Sequence, residues 1–139
     1  MGPILRVRAP GALQEVRQLN GTVAQFLQEQ RASAATIHDV QLVLEEVMTN
    51  VIRHSTPRHQ ALTLEVELEM EPGAVRLRVE DDGSAFDPTA ASEKAEEAMP
   101  PGRGSGGYGL RIVRRTAVRL DYRRFKELNV LEMWVPRLP

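Results

Sequence analysis

Residues 60–83, QALTLEVELEMEPGAVRLRVEDDG, alternate apolar and polar side chains in two runs parted by Glu71-Pro72-Gly73. A period of two sends successive side chains to opposite faces of a strand. Leu62, Leu64, Val66 and Leu68 therefore share one face, as do Val75, Leu77 and Val79, and the Pro-Gly pair between the runs predicts an antiparallel hairpin. The other face is charged. A sheet built on this hairpin is covered on one side and wet on the other.

Helical spacing supplies the cover. Residues 11–30 place Leu13, Val16, Leu19, Val23, Phe26 and Leu27 on one stripe that continues through Gly21. Residues 33–55 predict a second helix, with Val40, Val43, Leu44, Val47, Val51 and Ile52 as its buried stripe. Ser33 or Thr36 is its expected N-cap, Asp39 after Thr36 resembles a capping box, and Pro57 sets its end. Residues 3–9 read as a short strand. Residues 109–120 return to helical spacing through Leu110, Val113, Ala117 and Leu120, and the remainder predicts a hairpin turning near Leu128–Asn129. The expected fold is α+β, a mostly antiparallel sheet with helices on one face, and 139 residues suit a single domain, 1–139. Aromatics are only 4% of the chain, so the core must be aliphatic.

Charge and cysteine content remove several functions. Basic and acidic residues number 18 and 19, for a net charge of −1, so no global field draws the chain to nucleic acid or membrane. All basic residues but Lys94 and Lys126 are arginine. Without cysteine there is no disulfide, thiolate metal site or thiol nucleophile. The N-terminal MGPILRVRAP holds no apolar run long enough for a signal peptide, and a cytoplasmic location is expected.

Three patches carry possible chemistry. Glu46, Asn50, Arg53 and His54 share a face of the second helix other than its apolar stripe. An Asn carbonyl is a hard, neutral ligand suited to Mg²⁺, which keeps most of its waters, and a Glu one turn earlier could serve as general base. The alternative is a solvated polar face. Residues 79–88, VEDDGSAFDP, crowd Glu80, Asp81 and Asp82 before Gly83, where a strand ends. A carboxylate there accepts only, and so favours a ring bearing an exocyclic amine over one bearing a carbonyl; the alternative is a plain Asp-Gly turn. Residues 83–107 are poor in large apolar side chains, and four glycines fall within residues 102–107. The spacing Gly102, Gly104, Gly107 matches GxGxxG, but no strand precedes it, and no Lys-Ser or Lys-Thr follows as a P-loop needs. A glycine-rich loop feeding a helix at Gly109 still offers free N–H groups to phosphate; the alternative is a linker.

Taken together, LEEVMTNVIRHS, VEDDGSAFDP and GSGGYGLRIVRR resemble, in order and spacing, the nucleotide-binding boxes of the GHKL ATPase superfamily shared by histidine kinases and gyrase B. The chain is most similar to the small anti-sigma-factor serine kinases. The resemblance implies ATP and Mg²⁺ as cofactors, Asn50 as metal ligand, and Glu46 as the base that activates a partner's serine. Asp81 would read adenine with Gly83 beside it, and Phe86 lies in an FDP run like that of the anti-sigma subgroup. Arg103, Gly104, Gly106, Gly107, Gly109 and Leu110 would meet the phosphates, and residues 88–106 would form a lid. Ala85 departs from the Asp-x-Gly-x-Gly form of many superfamily members.

The implied partners are a sigma factor and an anti-anti-sigma protein of the STAS type, with the chain a homodimer that contacts neither nucleic acid nor membrane. Arg17 resembles a partner-facing arginine of the first helix, although a solvated arginine reads the same. Arg111, Arg114, Arg115 and Arg119 form a basic stripe if residues 109–120 are helical. The competing functions are a non-catalytic, ATP-binding partner-switch module and a detached histidine kinase catalytic domain, which would need a separate helical pair presenting a phosphoacceptor His.

Overall fold

The computed structural model describes residues 2–58, 60–87 and 112–139. Its elements run β1 (Ile4–Pro10), α1 (Leu13–Glu29), α2 (Ala34–His54), β2 (Thr63–Met70), β3 (Ala74–Asp81), β4 (Arg119–Phe125) and β5 (Leu128–Pro136). The strands form one sheet in the order β1-β2-β3-β5-β4, and every pairing is antiparallel.

The β2–β3 hairpin follows the predicted alternation. Leu64, Val66, Leu68 and Met70 oppose Asp81, Val79, Leu77 and Val75, and Glu71 N–H closes the turn on Ala74 C=O at 2.9 Å. This inner face meets the apolar stripe of α2, where Val40, Val43, Leu44, Val47, Met48 and Val51 are buried. Val16, Leu19, Val23, Phe26 and Leu27 of α1 complete the core. Phe26 is the only aromatic side chain among the buried described residues of the core, and it is still 9% exposed, in keeping with an aliphatic core. Gly21 lies inside α1 with open space where a Cβ would stand, and the helix continues through it.

Ser33 caps α2, its hydroxyl accepting the Thr36 N–H at 3.1 Å. The expected Thr36–Asp39 box does not form. The Thr36 hydroxyl instead accepts Leu138 N–H at 2.8 Å, which ties the chain's C-terminal residues to the start of α2.

Two further expectations are corrected. Helix covers only 112–116 among the described residues of 109–120, and Arg119 and Leu120 open β4, opposite Trp134 and Met133. Pairing with β5 overrides the helical spacing there. The basic stripe therefore loses Arg119, whose guanidinium pairs with Asp121 at 2.7 Å and lies over the Trp134 ring. The final hairpin turns at Lys126–Glu127, not at Leu128–Asn129. Both residues have positive φ, 49° and 64°, as a two-residue type I′ turn demands. A Lys-Glu pair gives no sequence signal for such a turn.

The outer face of the sheet is a ladder of opposite charges. Arg6 of β1 and Arg76 of β3 flank Glu67 of β2, each at 2.6 Å, and Arg76 also reaches Glu69 at 3.1 Å and Glu132 of β5 at 3.0 Å. Burial pushes the Glu67 carboxyl up, but hydrogen bonds and charge from the two arginines outweigh it and hold the group below the usual 4.5. A lowered folded-state value contributes stability above the unfolded value, lost as pH falls through the folded one. Glu67→Gln is therefore expected to cost about 1–2 kcal/mol at neutral pH. Its melting-temperature deficit against wild type should close as the pH is lowered beneath 4.5.

Candidate functional site

The site begins where α2 and β3 end together. Asp81 is the last residue of β3 and has the parity of Val75, Leu77 and Val79, so its side chain turns inward, beneath the helices, and is 3% exposed. Ser55 terminates α2, its N–H still bonded to Val51 C=O at 2.8 Å while its backbone is extended. Its hydroxyl donates to Asp81 Oδ1 at 3.0 Å. Gly83 N–H donates to the same oxygen at 3.0 Å, and Asn129 Nδ2 at 2.9 Å. No donor among the described residues reaches Asp81 Oδ2.

The crowding of carboxylates resolves into three separate environments. Glu80 has outer-face parity and pairs with Arg78. Asp82 accepts Thr63 N–H at 2.8 Å and fixes the start of β2. Only Asp81 is buried among the core elements.

Gly83 is required by proximity. A Cβ on it would overlap Ser55 Oγ and sit 3.0 Å from Asp81 Oδ1 and 3.1 Å from Leu62 Cδ1. Gly83→Ala is expected to cost about 1–3 kcal/mol through overpacking and to weaken nucleotide binding by displacing the Ser55–Asp81 bond. Urea unfolding and a nucleotide titration of the same variant measure the two effects.

Residues 84–86 are stitched to the end of α2. Ser84 N–H donates to Thr56 C=O at 2.7 Å, Thr56 N–H to Ser84 Oγ at 3.3 Å, and Phe86 stacks on the exposed His54 ring at 5.7 Å between centroids. Arg124 Nη1 donates to Gly83 C=O at 2.8 Å. Tyr122 donates its hydroxyl to Asn129 Oδ1 at 2.6 Å, and burial, the largest influence, raises the phenol above its usual 10. Ser55, Tyr122 and Asn129 are absent from the sequence reading of the site. Asn129 had the look of a turn residue, yet it opposes Asp81 in the β3–β5 register and is 4% exposed.

Glu46 and Asn50 are half-buried on α2. Asn50 stands five residues before Ser55, about 7.5 Å along the helix axis. Glu46 lines a cavity of about 440 Å³ between α1 and α2, together with Arg17, Asn20, Glu45, Thr49 and Arg53. Asn20 Oδ1 is buried there without a hydrogen-bond partner among the described residues. Arg103, Gly104, Gly106, Gly107, Gly109 and Leu110, with the expected lid 88–106, lie outside the described residues.

The donor set suits a nucleotide. Asp81 Oδ2 receives no hydrogen bond from the described residues and could accept one from an amine, and Asn50 carries one neutral oxygen, enough for Mg²⁺ that keeps its waters and phosphate ligands. No group of three or more His, Asp or Glu side chains among the described residues could hold a metal by itself. No described helix is long and apolar enough to cross a membrane.

Two helices over one face of an antiparallel sheet, with a buried carboxylate where strand and helix end together, define an α+β fold of the GHKL type. The chain belongs to the family of the histidine kinase-like ATPase domain, whose model matches residues 9–135, and the family makes ATP the ligand of the fold. It is 32% identical over 109 residues to the serine/threonine-protein kinase BtrW of Bordetella bronchiseptica, an alignment covering 74% of this chain and 72% of that protein. Among solved structures it resembles the RsbU and RsbW domains of Rv1364c from Mycobacterium tuberculosis, with a TM-score of 0.67 and 15% identity. That match covers 99% of this chain and 33% of the longer protein. The catalytic domain of the histidine kinase ThkA, in a nucleotide-free form, gives a TM-score of 0.54 at 15% identity and covers 97% of this chain and 99% of that one.

Proposed function

We propose that this chain is an ATP-dependent protein serine kinase of the anti-sigma type, acting as one domain over residues 1–139. It binds a sigma factor and phosphorylates an anti-anti-sigma protein of the STAS type on serine, as a homodimer in the cytoplasm. The observation that carries the reading is the placement of Glu46 on an open groove, on the same helix whose end holds Asp81. The named kinase among its relatives supports it.

Each residue then has a task. Asp81 accepts the exocyclic amine of adenine through Oδ2, with Gly83 beside it and Phe86 on the flank of the pocket. Asn50 holds Mg²⁺ by its side-chain oxygen. Arg103, Gly104, Gly106, Gly107, Gly109 and Leu110 surround the phosphates through backbone amides and one guanidinium. The groove that Arg17 shares with Glu46 receives the partner segment, and Glu46 takes the proton of its serine hydroxyl as the oxygen attacks. Bound Mg²⁺·ATP supplies the electrophilic phosphoryl group, with charge neutralised by metal and amides. One oxygen–phosphorus bond forms to serine as the bond to the ADP oxygen breaks, and ADP leaves.

The test is transfer from γ-labelled ATP with Mg²⁺ to the cognate antagonist. The expected product is phosphoserine on that partner. Partner capture and release by folded, ATP-bound protein without transfer would instead establish a non-catalytic switch module, and phosphohistidine on this chain would establish a histidine kinase domain.

A further inference from the structure

Asn129 is a buried carboxamide with every hydrogen-bonding position in use. Its Nδ2 donates to Asp81 Oδ1 at 2.9 Å and to Ser84 C=O at 2.8 Å, and its Oδ1 accepts the Tyr122 hydroxyl at 2.6 Å and the Phe86 N–H at 3.2 Å. Two donors and two acceptances exhaust the group. The orientation is also determined. Flipped, its oxygen would face a carboxylate and a carbonyl, and its NH₂ would face the Phe86 N–H.

A rigid amide of this kind does more than fill space. Ser55 and Gly83 approach Asp81 from the helix end and the following loop, whereas Asn129 approaches across the sheet. Three donors from three directions hold one oxygen of the carboxylate and leave the other without a donor among the described residues. Of the three donor groups, the Asn129 carboxamide also accepts bonds of its own, from the Tyr122 hydroxyl and the Phe86 N–H.

We propose that Asn129 is the positioning residue that fixes Asp81 for base selection, with Tyr122 locking Asn129 in turn. The inference rests on the reading of Asp81 as the adenine acceptor. Without the amide, Oδ1 keeps two donors on one side, the carboxylate turns toward them, and Oδ2 leaves the line of the exocyclic amine. Selection for adenine weakens, while contacts to the phosphates are unaffected.

The experiment compares ATP with ITP, which carries a carbonyl where adenine has its amine, by calorimetric titration of wild type, Asn129→Asp and Tyr122→Phe. Nucleotide-free melting of each protein is recorded alongside. Asn129→Asp puts an acceptor oxygen against Asp81 Oδ1 and is expected to lower ATP affinity by about 10- to 100-fold, the effect of losing a bond to a charged group. ITP affinity should change little, so the ATP-to-ITP ratio collapses. Tyr122→Phe should shift the ratio in the same direction by a few-fold. It decides the matter if Asn129→Asp does not fold.

A parallel loss for both nucleotides, or an unchanged ratio in a folded variant, would overturn the positioning role and leave Asn129 a structural amide. Wild-type protein that binds ATP and ITP equally would instead overturn the parent assignment of Asp81.

Discussion

Glu46→Gln is expected to slow phosphoryl transfer to the partner serine by about 10²–10⁴-fold, the contribution of a positioned general base. Glutamine keeps the size and one carbonyl of glutamate but cannot accept a proton at neutral pH. Because Glu46 is half-buried beside a groove and away from the cluster around Asp81, ATP affinity and melting temperature should remain close to wild type. Single-turnover transfer with pre-bound ATP isolates the chemical step. A variant that transfers at the wild-type rate removes Glu46 from the chemistry, and one that loses ATP binding in proportion assigns it to the nucleotide.

Asp81→Asn is expected to invert base preference as well as weaken binding. Ser55, Gly83 and Asn129 all donate to Oδ1, so the amide of the variant must keep its oxygen there. Its NH₂ then takes the place of Oδ2 and meets the adenine amine donor to donor. ATP affinity should fall by about 10- to 100-fold, and ITP, with a carbonyl at that point, should become the better ligand. Calorimetry on both nucleotides reads the inversion directly. Equal affinities before and after the substitution would place the base elsewhere.

The β2–β3 hairpin was legible because period two and a Pro-Gly turn are local signals. The burial of Leu64, Val66, Leu68, Val75, Leu77 and Val79 follows from them. Helix α2 was legible from its own helical apolar spacing, and Asp81 as the end of a strand, though its inward side was not read from the sequence. Asn129 and Ser55 were not, since each has a sufficient local explanation, as turn residue and as helix end. Their bonds to Asp81 span 48 and 26 residues of sequence. The start of β4 was misread because RLDYRRF is an edge strand whose burial barely alternates. Pairing with β5 decides its conformation, and no residue within it announces that partner.

Ser55 is both the terminus of α2 and a donor to Asp81, so a single rod carries the proposed base in its second half and, at its C-terminal end, the anchor of the proposed purine reader. From Glu46 to Ser55 the rise is about 13 Å. With Glu46 and Asp81 in the proposed roles, such a rod would act as a gauge, admitting ligands whose reacting group and base lie a set distance apart. Bending α2 between Glu46 and Ser55 would shift the two positions relative to each other.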